Sequence, residues 1–327
     1  MPSEVVGKPT PDPKESSSSG SDLDATTHQP SSLDRLDAFN THRKLLFAIA
    51  YRMLGSVADA EDMLQETYVR WQQALDSEIR SPRAFLVTIV SRLCLNHLDS
   101  ARVRREEYFG EWLPEPLLTE GNNDPSALPE VEVDDSLSFA FLVLLERLTP
   151  MERAVFLLRE VFDYEYEEIA DILGQSEANC RQLLRRGRQH VADNRPRFSP
   201  APQQRERLMK EFLQATAGGN LERLVELLAR DVVLHSDGGG KGPALPVLIQ
   251  GARKVARALI GASRKFVPAD IVTRLASING ELATISYHSG EPFSVITLEV
   301  IDAQICGVYI VSNPEKLAGL PAPPTTV

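Results

Sequence analysis

Five polar side chains on one short run, Asn179, Arg181, Gln182, Arg185 and Arg186, have the types and spacing to read a nucleic acid. Arginine bonds bidentately to guanine, and asparagine or glutamine to adenine, in a major groove wide enough for one helix. Between Arg181 and Arg197 only Asp193 opposes the arginines. The plain alternative is a solvated basic face on an ordinary helical pair. Other chemistry finds less support. His235, Asp237 and His288 could act as acid and base in a pocket, but no paired arrangement demands it. His42, His97 and His190 read as ordinary helix residues, and Cys94, Cys180 and Cys306 as reduced core residues, so neither metal nor cofactor is expected.

To read bases, the five side chains must ride on a helix held at a fixed angle. Thr149 can cap a helix whose first position is Pro150 and whose third is Glu152, a capping box. A second helix, from Tyr166 to Leu173, is closed by Gly174, which can take the left-handed conformation of a tight turn, and Ser176 can cap the next. Ile169, Ala170, Leu173, Cys180 and Leu183 fall where two crossed helices must touch, while Gln175 is polar where such turns often carry an apolar residue. The pattern is a helix-turn-helix, and duplex DNA is its expected partner.

The whole chain bounds that reading. Its 327 residues, 43% hydrophobic, suffice for two or three domains with real cores. No apolar run is long enough to span a bilayer and the N-terminus lacks signal-peptide order, so no membrane partner is expected and a cytoplasmic location is the default. A net charge of −11 opposes general affinity for phosphate, but it is unevenly spread. Eight acidic residues and no lysine or arginine lie between Glu111 and Asp135, whereas Arg102, Arg104 and Arg105 and the third helix of the motif are locally basic. Such a chain should bind DNA weakly alone and need a partner that brings the DNA.

Composition and period divide the chain. Residues 1–32, rich in Ser, Pro, Asp and Thr, should form a disordered tail. Residues 33–110 carry a helical period: Leu45, Leu46, Ile49 and Met53 before Gly55; Val57, Ala60, Leu64, Trp71 and Leu75 after a Ser56 cap; Phe85, Ile89, Leu93 and Leu98 after Ser81-Pro82. Residues 111–135, with Pro114, Pro116, Pro125 and Pro129, make an acidic linker that cannot be continuous helix. The helix-turn-helix domain takes 136–194, a second linker 195–202, and an α+β domain with helices first and a mostly antiparallel sheet 203–318, before a tail at 319–327.

Two all-α domains of this kind, with D-A-E-D-M-L-Q-E-T-Y-V-R-W at Asp59 to Trp71 and the arginine-rich motif downstream, resemble a bacterial extracytoplasmic-function (ECF) sigma factor over about Leu33 to Val191. The resemblance implies a region 2 helical bundle and a region 4 helix-turn-helix, with core RNA polymerase (β and β′ subunits) and promoter DNA as partners. It places Asp59, Glu61, Asp62, Gln65 and Glu66 against the β′ clamp helices, although a solvated acidic face would fit these residues too. It assigns the single-stranded minus-ten element to Ser77, Arg80, Ser81, Asn96, Arg102, Arg104 and Arg105, types that suit a flipped base and its backbone. Asn96 equally suits a helix-end carbonyl, and Arg92 could snorkel over the core. The minus-thirty-five duplex falls to the five residues of the third helix.

Y-F-G-E-W-L-P-E-P-L-L at Tyr108 to Leu118, D-G-G-G-K at Asp237 to Lys241 and N-P-E-K-L at Asn313 to Leu317 together resemble the ECF subgroup with a C-terminal SnoaL-like cone domain. Glu315 stands where that group often has aspartate. The resemblance implies regulation from within the chain, without a separate anti-sigma protein. Trp112, in a stiff and partly apolar linker, needs a cover, and the extension is the obvious one. Regulatory contacts are therefore expected among Trp112, Leu113, Pro114, Asp237, Gly238, Gly239, Gly240, Lys241, Asn313, Pro314, Glu315, Lys316 and Leu317, with the glycines forming a flexible loop between opposite charges. The expected function is promoter recognition and transcription initiation without chemistry, with room for an unidentified small ligand in the C-terminal domain. The competing readings are a ligand-responsive helix-turn-helix regulator, which leaves the first helical domain unexplained, and an enzyme fused to a DNA-binding module.

Overall fold

The computed structural model describes residues 32–75, 79, 81–106, 108–119, 135–192, 201–245 and 247–323, with the side chains of 32–34, 101–106, 135 and 192 excepted. The expected disordered tail up to residue 31, most of the acidic linker, Ser77 and Arg80 lie outside these residues.

Helix α1 (Ser32–Leu54) buries Leu46, Phe47, Ile49, Tyr51 and Met53. It ends at Gly55, whose φ of 67° directs its N–H back to the Tyr51 carbonyl at 2.7 Å. Ser56 then caps α2 (Val57–Gln73), which buries Ala60, Leu64, Thr67 and Trp71. Leu75, expected on that stripe, is 65% exposed because the helix stops at Gln73 and Ala74 is extended. Helix α3 (Pro82–Glu106) starts at Ser81-Pro82 as expected. Its burial is broader than the expected stripe: Leu86, Val87, Val90, Leu93, Cys94, Leu95 and Leu98 are buried, while Phe85 and Ile89 are half-buried. The reason is tertiary, since α3 packs on α1 and α2 and also on the later helices α5 and α6 described next.

Helices α4 (Phe139–Leu145), α5 (Pro150–Glu160), α6 (Tyr166–Leu173) and α7 (Glu177–Ala192) follow. The Thr149–Glu152 capping box is formed, Gly174 is left-handed at φ 64°, and Ser176 Oγ accepts the Asn179 N–H at 3.2 Å. Ile169, Leu173 and Cys180 are buried, Ala170 and Leu183 are half-buried against the same core, and Leu184 is buried as well. Cys306 is only half-buried, unlike the buried Cys94 and Cys180.

The two helical units do not stand apart on a flexible linker. One continuous apolar cluster runs from Phe39 and Phe47 through Leu86 and Val90 to Val155, Phe156, Ile169 and Leu184. Arg153, 3% exposed, crosses the junction: Nη1 donates to the Met53 carbonyl at 2.7 Å and Nε to the Leu145 carbonyl at 2.9 Å. Arg92 does not snorkel over the core. It donates to the carbonyls of Ile172 and Asp171, at 2.8 and 3.0 Å, satisfying the C-terminal end of α6 from across the junction.

The α+β part comprises α8 (Pro202–Ala217), α9 (Leu221–Leu227), β1 (Leu228–Asp237), β2 (Ile249–Gln250), α10 (Ala252–Phe266), β3 (Val272–Ile278), β4 (Glu281–His288), β5 (Glu291–Ile301), β6 (Gln304–Val311) and α11 (Pro314–Leu317). The sheet order is β2-β1-β6-β5-β4-β3; β1 and β6 run parallel, and the other pairs are antiparallel. Alternation along each strand gives the sheet two buried faces. Leu234, Leu298, Val300 and Val308 pack under α8, α9 and α10, closing a cone. Ala283, Ile285, Tyr287, Val295, Tyr309 and Val311 point the other way and pack on Leu113, Phe139, Leu317 and Leu320. Leu320, in the segment expected as tail, is thus part of this interface.

Candidate functional site

On that second face the three distant strings of the sequence meet. Asp237 ends β1 with its side chain fully buried and both oxygens occupied. Oδ1 accepts the Tyr108 hydroxyl at 2.6 Å and the Gly239 N–H at 3.0 Å, and Oδ2 accepts the Leu113 N–H at 2.8 Å and Lys316 Nζ at 2.7 Å. The expectation of a flexible loop with charged ends therefore fails at Asp237, because that carboxylate is the acceptor for the linker's own donors. Exposed Lys241, at the other end, pairs with Glu315.

The glycines between them are spacers of necessity. A β-carbon on Gly238 would lie 2.4 Å from the Gly242 carbonyl oxygen, and one on Gly239, where φ is 58°, 2.4 Å from Asn313 Nδ2. Gly240 faces Phe109. Asn313 caps α11, whose first residue is Pro314, gives its backbone N–H to the Asp237 carbonyl at 3.1 Å, and donates Nδ2 to Tyr108 at 2.8 Å. Lys316 also bonds the Leu113 carbonyl and lies 4.0 Å from the centre of the Trp112 ring, a cation–π contact. Trp112 also lies against Gly55, just after α1, where a β-carbon would come within 2.6 Å of the ring.

Leu113 to Leu117, Pro114 included, are buried, and the linker is tied to all three parts of the molecule. Glu115 accepts the Val57 N–H at 2.7 Å and the Ala58 N–H at 3.3 Å, so a linker carboxylate sits on the N-terminus of α2. Burial raises its pKa, opposed by those backbone donors. Leu118 bridges Ile278 on the edge strand β3, and the Thr119 N–H reaches the Ser277 carbonyl at 2.8 Å. Asn279, 1% exposed, accepts the Leu117 N–H at 2.9 Å and donates Nδ2 to the Tyr51 hydroxyl at 2.6 Å and the Leu137 carbonyl at 3.0 Å. Sequence reasoning missed Asn279, Tyr51 and the capping role of Glu115. Only the Asn279-Gly280 dipeptide carried a signal, that of a hairpin turn.

A second buried polar group lies beside this seat. His235 Nδ1 is 2.6 Å from Glu111 Oε1, and its ring stacks on Tyr309, whose hydroxyl donates to Glu299 at 3.1 Å. Burial raises the pKa of Glu299, partly offset by Tyr309 and His235, and burial raises that of Tyr309 as well. A carboxyl that keeps its proton longer folded than unfolded contributes stability below the ordinary carboxylate range and loses it as pH rises through the raised value. Urea unfolding between about pH 4 and about pH 8 should show that decline, and Glu299→Gln should flatten it. His235 and Asp237 thus face the linker, and His288 pairs at the surface with Asp270 at 2.9 Å. The structure does not bring them together as an acid and base in the cone.

On α7, Gln182, Arg185 and Arg186 are exposed. Asn179 and Arg181 are partly engaged, the first with Gln175 at 2.8 Å, the second with Glu177 at 2.6 Å and over the Tyr166 ring. On α2, Asp62 and Gln65 are exposed, but Glu61 pairs with Arg43 at 2.7 Å, Asp59 lies 3.5 Å from His97, and Glu66 bonds Arg70. Ser81, just before α3, and Asn96, within it, are exposed, and the side chains of Arg102, Arg104 and Arg105 lie outside those described. No group of acidic, histidine and cysteine residues suited to a metal occurs among the described residues. Nor is any described helix long and apolar enough to cross a membrane.

Residues 38–104 match the sigma-70 region 2 family and residues 138–191 the sigma-70 region 4 family, so the helical half defines a sigma factor. The chain belongs to the ECF RNA polymerase sigma factors. It is 38% identical to the ECF sigma factor SigJ of Mycobacterium tuberculosis over 86% of this chain and 93% of that one. It is 31% identical to a probable ECF sigma factor, SigI, of the same organism, over 87% and 95% of the two chains. The crystal structure of M. tuberculosis SigJ superposes with a TM-score of 0.71 at 34% identity, covering 88% of this chain and all of that one.

Proposed function

We propose that the C-terminal cone tunes this sigma factor by holding its linker, and with it the closed packing of the two DNA-reading regions. The observation that carries the reading is the buried Asp237 carboxylate, filled by donors from Tyr108 and Leu113. Elements centred near minus ten and minus thirty-five lie about two and a half duplex turns apart, roughly 85 Å. Regions that share one apolar core cannot reach both, so initiation requires them to part. An extended chain spans about 3.4 Å per residue, and pinning 111–119 removes roughly 30 Å of linker reach. Regulation then needs no separate anti-sigma protein, and no chemistry is assigned to the cone.

In the open form, Gln182, Arg185 and Arg186, with Asn179 and Arg181, read the minus-thirty-five duplex. Ser77, Arg80, Ser81, Asn96, Arg102, Arg104 and Arg105 serve the minus-ten strand, and Asp59, Glu61, Asp62, Gln65 and Glu66 face the polymerase clamp. Glu61 and Asp59 must first leave Arg43 and His97. Arg186→Ala is expected to weaken binding of the minus-thirty-five duplex by about 1–3 kcal/mol and to relax preference at one base pair, measured by anisotropy with polymerase present.

The test of the whole reading compares promoter binding by the chain alone and with core polymerase, then run-off transcription by the full chain and by a chain ending at Ala201. Tight binding without polymerase, or equal output from both chains, would refute it.

A further inference from the structure

The cone holds a cavity of about 270 Å³, partly open to solvent, between the sheet and helices α8 and α10. We propose that it binds a neutral, mainly apolar small molecule bearing an uncharged oxygen, and that occupancy alters the hold on the linker. The first half stands by itself; the second rests on the function proposed above.

The lining sets the ligand class. Its walls are apolar, with Phe212, Leu259, Phe266, Phe293, Ile296 and Ile310 prominent, and among the described residues no lining side chain is ionisable. A charged ligand would be buried without a counter-charge, at a cost far above what such walls return. One rung of the cavity is polar. Thr273 pairs with Ser286 across β3 and β4, their hydroxyls 2.9 Å apart, and Ser286 pairs with Ser294 across β4 and β5. Ser312 continues the rung, since it follows Val311, the partner of Val295. The Ser312 hydroxyl already has the Pro243 carbonyl at 2.6 Å and the Asp237 carbonyl at 3.3 Å as acceptors, whereas the Thr273–Ser286 pair keeps one hydroxyl proton to offer. Hydroxyls in an apolar cavity orient a ketone, hydroxyl or amide without demanding charge. The volume suits a molecule of two or three rings.

The same wall reaches the linker seat. Pro243, Ala244 and Leu245 line the cavity and continue the Asp237–Lys241 loop. Leu245 N–H donates to Ser236 at 3.2 Å, and Ser312 N–H to the Asp237 carbonyl at 2.7 Å. A β-carbon on Gly242 would lie 1.9 Å from the Ser312 carbonyl oxygen, so loop and strand are in direct backbone contact. A ligand that displaces Pro243–Leu245 therefore moves the backbone on either side of Asp237 and Asn313, which hold Tyr108 and Leu113.

The full chain is titrated with N-phenyl-1-naphthylamine, a neutral probe of this size, and with its sulfonated analogue 8-anilinonaphthalene-1-sulfonate. Saturable one-to-one binding of the neutral probe is expected, with the sulfonate about tenfold weaker or more. Ala262→Trp and Ala244→Trp, filling the cavity from α10 and from the loop, should each weaken the neutral probe about tenfold. Hydrogen exchange on the unaltered chain locates the site without any variant, through added protection at Ile296 and Ile310. No binding, equal binding of the two probes, or protection elsewhere overturns the ligand site. Exchange at the Leu113 amide should change about fivefold on saturation, against Val155 as control; a bound probe that leaves Leu113 unchanged overturns the coupling. None of these readouts involves promoter output, so a failure of the proposed function is seen separately in transcription.

Discussion

Asp237→Ala is expected to free the linker and raise polymerase-dependent run-off transcription by about an order of magnitude. The substitution leaves Lys316 Nζ, the Leu113 N–H and the Tyr108 hydroxyl without the carboxylate that joins them. Breaking one side of a buried charge pair costs about 3–5 kcal/mol. Most of that loss falls on the cone itself, through Lys316 and the Gly239 N–H, and the rest on the closed arrangement, through Tyr108 and the Leu113 N–H. If only about 1.4 kcal/mol falls on the latter, the open population rises tenfold. Asp237→Asn should not rescue, because its amide nitrogen would have to face one of two sets of donors. Proteolysis within 111–119 should accelerate in parallel, since the freed segment is no longer buried. Unchanged output together with unchanged cleavage would rule the tether out.

Asn279→Gly is the sharper experiment, because it spares the backbone. Asn279 has φ 54°, a left-handed conformation that glycine adopts without strain. What disappears is one side chain that bonds Tyr51 of α1, Leu117 of the linker and Leu137 before α4. Each buried partner left unmade costs about 1–3 kcal/mol, and here the loss falls on contacts between units, with none on a contact inside one. The expected result is an open form enriched by at least about tenfold, read by small-angle scattering as a larger radius and by run-off transcription as higher output. The cone should keep its own unfolding midpoint. A fall in that midpoint with no change in radius would mean that Asn279 serves the hairpin alone.

The helical half was legible because its signals are local. The Thr149–Glu152 box, the left-handed Gly174 and the Ser176 cap each act within one turn, and each is found where the residues placed it. The mostly antiparallel sheet expected after the helices likewise became β3 to β6. Errors came where a neighbour decided. Leu86 and Val87 are buried on a helix that packs against α1, α2, α5 and α6 at once, and Leu184 lies deeper than Leu183, a difference between adjacent leucines that no local signal carries. The three strings at Tyr108, Asp237 and Asn313 could be paired in advance only as a resemblance. Nothing in their composition says that Asp237 would be buried with every oxygen engaged.

What the residues determined without help is the architecture: two helical regions, one of them a helix-turn-helix, and an α+β extension. Capping, turn chemistry and hydrophobic period are short-range, so they survive in a linear string. What the tertiary structure alone decided is that the regions close on one core and that residues 108–119 are gripped by the cone. Those contacts join Tyr108 to Asp237 across 129 positions and Tyr51 to Asn279 across 228. Hydrogen bonds over such separations depend on which faces the fold brings together, and no local rule encodes that.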